Sequence, residues 1–97
     1  MEDLRAELEQ SVDEAEWDWL VPHAARDAVI IVGSELNLID VGVAIASDDT
    51  ISVQLWIQQH LIYKPDARQL QEWERDRSKR FNALILQPYV LVQDLAA

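Results

Sequence analysis

The chain has no cysteine, and among its 97 residues only two are glycine and three proline. Without a thiol there can be no disulfide, no zinc–thiolate or iron–sulfur site and no cysteine nucleophile. Gly33 and Gly42 alone are too few for a dinucleotide fingerprint or a phosphate-cradling loop, so no nucleotide cofactor is expected. Basic residues are scarce as well, eight against 18 acids. The resulting net charge of −10 repels phosphate backbones and makes nucleic acid an improbable partner. No apolar run reaches membrane-spanning length. The opening Met-Glu-Asp-Leu-Arg-Ala-Glu-Leu-Glu lacks the basic and apolar regions of a secretory signal, so a cytoplasmic location and no membrane partner are expected.

What is present suffices for one domain over residues 1–97. Hydrophobic residues make up 49% of the chain and charged ones 27%, which is the balance of a folding sequence rather than a disordered one. At this length, folding removes roughly 60–70% of the extended chain's surface from water. The charge is uneven. Residues 1–20 carry eight acids against Arg5, whereas Arg75, Arg77, Lys79 and Arg80 crowd around Asp76. Two readings follow: a solvated acidic helix face beside a basic loop, or two patches that meet, within one chain or between two. The acidic segment could also attract a basic protein partner.

Leu4, Leu8, Val12, Ala15 and Trp19 recur at helical spacing and predict an amphipathic N-terminal helix, with a capping box of Ser11 and Glu14 able to divide it. Pro22 predicts that the helix ends or turns there. Ala28–Val32 reads as a buried strand. Residues 36–47 fit two periods. Val41, Val43 and Ile45 alternate as in a strand, while Leu38, Val41 and Ile45 fit a helix in which Gly42 permits close packing. Leu36, Leu38 and Ile39 break the alternation and favour the helix. Asp48 and Asp49 are caps for a charge-free helix over residues 50–63. Its apolar surface wraps most of the circumference and therefore asks for cover from several sides, which a small domain supplies poorly without a second copy. Asp66 and Gln69 cap a helix running to about residue 77, and residues 81–93 read as a strand interrupted at Pro88 on an edge, bulge or sheet corner. The expected fold is α+β, with several short helices packed on a small two- to three-stranded sheet.

Chemistry-bearing groups are sparse. His23 and Asp27, four residues apart, have the spacing of an imidazole oriented by a carboxylate, but no serine lies in a nucleophile elbow. Asp48, Asp49 and His60 are candidate oxygen and nitrogen ligands for a hard cation, although adjacent aspartates before a helix more commonly cap it. Four tryptophans are a high load for recognition or packing. Trp17 lies off the N-terminal apolar stripe and is the expected exposed anchor. Trp56, Arg75, Arg77, Lys79, Arg80 and Tyr89 complete the candidate interaction surface, and no catalytic or metal site is assigned.

Arg26-Asp27, the segment Asp40-Val41-Gly42-Val43-Ala44-Ile45-Ala46, Asp48-Asp49, Trp56-Ile57, Lys64-Pro65 and Gln87-Pro88-Tyr89-Val90-Leu91 together resemble a family of short bacterial proteins known only as a domain of unknown function. The resemblance spans nearly the whole chain and implies a bacterial cytosolic origin. It brings no catalytic residues and no cofactor. The leading expectation is a non-enzymatic protein–protein interaction module that forms a homodimer through apolar surface of the 50–63 segment or the C-terminal strand. The alternatives are a small metal- or metabolite-binding enzyme using His23, Asp27, Asp48 and Asp49, and an acidic mimic of nucleic acid.

Overall fold

A computed structural model describes residues 4–95. In chain order the elements are α1 (Leu4–Ser11), β1 (Asp13–Glu16), α2 (Trp17–Ala25), β2 (Val29–Val32), α3 (Leu38–Ala46), α4 (Thr50–Gln58), β3 (Ile62–Tyr63), α5 (Ala67–Arg75), β4 (Arg80–Leu86) and β5 (Tyr89–Asp94). The α+β class is as expected. The sheet is larger than the expected two or three strands: it has five, in the order β1-β4-β5-β2-β3. β2 and β5 run parallel, and every other neighbouring pair is antiparallel.

Alternation along the central strands builds a core on each face of the sheet. Phe81, Ala83, Val90 and Val92 face a cluster with Trp17 and Leu20 of α2 and Trp73 of α5. Leu84 and Leu91 face the other way, onto Leu8 of α1 and Leu38 and Val41 of α3. The helices thus cover both faces, and α3 lies close enough that a Cβ on Gly42 would sit 2.6 Å from Leu84 Cδ2.

The N-terminal helix is shorter than its apolar stripe predicts. Ser11 does not begin a second helix; its hydroxyl donates to the Glu7 carbonyl at the end of α1. Residues 13–16 pair instead with β4, in the register Ala15 to Phe81, and the Glu14 carboxylate accepts from Arg80. A new helix then starts at Trp17, which resets the rotational phase. Trp17 is 1% exposed and Trp19 48% exposed, the reverse of the sequence expectation. Pro22 does not end α2, which continues to Ala25. It sits just past the first turn, where its ring displaces only the bond to the carbonyl of the exposed Asp18.

The charge-free segment also divides. α4 stops at Gln58, and Ile62–Tyr63 become the edge strand β3. The break at Pro88 is a two-residue hairpin turn between β4 and β5, with Leu86 opposite Tyr89, so the proline lies outside both ladders of the sheet's interior strands. The helical reading of residues 36–47 holds, with Asn37 as the cap: its side chain accepts from the Ile39 and Asp40 amides. Asp66 and Gln69 form the expected capping box at α5.

α2, α3 and α4 end alike. In each, the residue after the C-cap adopts positive φ: Asp27 at 61°, Asp48 at 62° and His60 at 60°. Each also shows the paired amide bonds of a Schellman turn. Ala28 donates to His23 and Asp27 to Ala24; Asp49 to Ala44 and Asp48 to Ile45; Leu61 to Trp56 and His60 to Ile57. Glycine, the usual occupant of that position, is at none of the three.

Candidate functional site

The acidic N-terminal segment and the basic loop meet within one chain. Arg77 reaches Asp18 at 3.2 Å and Glu74 at 2.7 Å, Arg80 reaches Glu14 at 3.2 Å, and Lys79 reaches Asp94 at 3.0 Å. Glu74 also accepts from the indole N–H of buried Trp17 at 3.1 Å. Arg77 and that indole together hold the Glu74 carboxyl below the usual carboxylate range. Arg77, Lys79 and Arg80 are therefore occupied in docking α2, β1 and β5, and of the four cations of the loop only Arg75 has no ion pair among the described residues.

The candidate catalytic groups each have another partner. His23 Nδ1 accepts from Arg26 at 2.9 Å, and its ring lies 4.9 Å from that of Trp19. Asp27 takes Lys64 at 2.7 Å instead of orienting His23. Asp49 caps α4, accepting from the Ser52 amide and hydroxyl. These bonds hold its carboxyl below the ordinary range. No group of three or more His, Asp or Glu side chains suited to a metal is found among the described residues, so Asp48, Asp49 and His60 do not assemble into a site.

The unusual surface is α4. The helix carries no charge and none of its residues is fully buried. Val53 and Trp56 rest on the core, which makes Trp56 half-buried support rather than an exposed anchor. Ile51, 81% exposed, and Leu55, 49% exposed, form an outward stripe one turn apart. Val53 and Ile57 lie two positions further along, about 160° around the axis. On that side an apolar groove of about 550 Å³ opens between α4, β3 and the β4–β5 hairpin, with Tyr89 on its wall. The sequence signal for the outward stripe was the absence of charge from residues 50–63; its direction is set by Val53 and Trp56, which rest on the core.

No helix among the described residues is long and apolar enough to cross a membrane. No match was found among curated proteins. The NMR solution structure of PA1075 from Pseudomonas aeruginosa has the same fold, with a TM-score of 0.82 and 28% sequence identity, over 100% of this chain and 89% of that one. Residues 3–94 match the family described as "Protein of unknown function (DUF2288)", and the chain belongs to that family.

Proposed function

We propose that the chain is a non-enzymatic protein–protein interaction module that self-associates as a homodimer through the outer stripe of α4. The observation that carries this reading is the exposure of Ile51 and Leu55 on a charge-free helix. Burying such side chains favours association by about 25 cal/mol per Å² removed from water, before the cost of immobilising two molecules. Two copies of net charge −10 repel wherever their acids face each other. An uncharged helix is the surface on which they approach at least cost. A two-fold axis beside α4 would place the stripe against its own copy, the self-complementary arrangement usual in homodimers.

Light scattering coupled to gel filtration at micromolar concentration tests the proposal. The expected mass is twice 11.2 kDa for the natural chain and 11.2 kDa for Leu55→Lys, with unchanged far-ultraviolet circular dichroism. A natural chain that elutes at 11.2 kDa at every concentration overturns it.

A further inference from the structure

The groove on the other side of α4 has a chemistry of its own. Ile30, Ile45, Val53, Ile57 and Ile62 give it an apolar floor, drawn from β2, α3, α4 and β3. Its remaining lining residues are His60, Tyr63, Lys64 and Tyr89. Each carries a hydrogen-bond donor, and Lys64 a full positive charge. Among the described residues, no aspartate or glutamate lines this groove. Its volume, about 550 Å³, falls within the roughly 300–1,000 Å³ of small-molecule sites, which are likewise mostly apolar with a few convergent polar groups.

We propose that this groove binds a small monocarboxylate with an apolar body, its hydrocarbon against the isoleucine floor and its carboxylate on Lys64. The ammonium group has three donors. Asp27 Oδ2, which is not part of the lining, takes one at 2.7 Å, and the others are left for a ligand. The bond to Asp27 also raises the Lys64 pKa, so the amine stays charged across the physiological range. An apolar amine would set its own charge against Lys64, whose ammonium already holds the Asp27 carboxylate. A neutral alcohol of equal length would gain the floor but not the charge-assisted bond. The inference does not rest on self-association, because the outer stripe and the groove occupy opposite sides of α4.

The test is a titration of the ¹⁵N-labelled chain with decanoate, decanol and decylamine, followed by amide chemical shifts. Leu55→Lys is run in parallel, so that failure of the dimer and failure of the ligand site are read separately. Decanoate is expected to give saturable shifts centred on residues 57–64 and 89, with an affinity about tenfold above that of decanol. Lys64→Met is expected to erase the preference. Asp27→Asn is expected to strengthen decanoate binding by freeing the ammonium, and asparagine tolerates the positive φ found there. Equal binding of decanoate and decanol, an unchanged decanoate affinity in Lys64→Met, or shifts that do not saturate would each overturn the proposal. Dispersed spectra of all three variants establish that they are folded.

Discussion

Trp17 joins both halves of the molecule. Its ring packs 5.0 Å from that of Trp73, and Trp73 in turn lies 5.1 Å from Phe81. Its N–H bonds to Glu74, which Arg77 ties to Asp18. Trp17→Ala should therefore cost about 3–5 kcal/mol in urea unfolding, a large share of a small domain's stability. Trp19→Ala, at an exposed position, should stay within about 0.5 kcal/mol. Glu74 contributes a pH dependence of definite sign. A carboxyl whose pKa is depressed on folding stabilises the fold above its unfolded pKa, and that contribution is lost as pH falls through the folded value. Glu74→Gln should thus melt below the natural chain at neutral pH, and the gap should close as the pH falls through and below the carboxylate range. The burial of Trp17 was not legible in the sequence, because its position on a helical wheel depends on β1. The segment Asp-Glu-Ala-Glu has no strand propensity and is extended only because β4 offers it a ladder.

At the scale of elements, the starts of α4 and α5 were easier to read than the helix ends. Asp49, Asp66 and Gln69 announce their caps by residue type, and the capping box at α5 forms as its spacing predicts. The ends of α2, α3 and α4 carry no such mark, since aspartate and histidine occupy the left-handed positions that glycine usually signals. This is why the segment 50–63 read as one helix although it contains a turn and a strand. The same substitution predicts an improvement: Asp48→Gly should relieve backbone strain and stabilise by about 0.5–1 kcal/mol, seen as a melting temperature a few degrees higher. Gly42 behaves oppositely. Alanine there improves helix propensity by up to about 1 kcal/mol, but its methyl would press on Leu84, which has no exposed surface. Overpacking of about 1–3 kcal/mol should prevail, and Gly42→Ala should lower the urea midpoint.

For the whole molecule, electrostatics determines how association responds to salt. If two copies of net charge −10 meet on an uncharged stripe, the long-range term is repulsive, and screening it helps. Raising sodium chloride from about 50 to 500 mM should tighten the dimer, as read by sedimentation equilibrium, whereas a dimer held by the acidic segment and the basic loop would loosen. The α+β class was legible from composition and punctuation. The order of the sheet was not, because long-range pairings such as Asp13 with Ala83 and Val29 with Val90 leave no local trace.

Those pairings also bear on biosynthesis. β4 and β5 lie inside the sheet, yet they follow every other element in the chain, and β1 and β2 have no main partner until residues 80–94 exist. A nascent polypeptide that reaches only α5 holds Trp17, Val29 and Ile31 with no Phe81, Val90 or Val92 to receive them. Folding on the ribosome therefore has no stable stopping point before the hairpin emerges, and a ribosome-bound chain arrested before β4 should be open to proteases and to chaperones that hold exposed apolar segments.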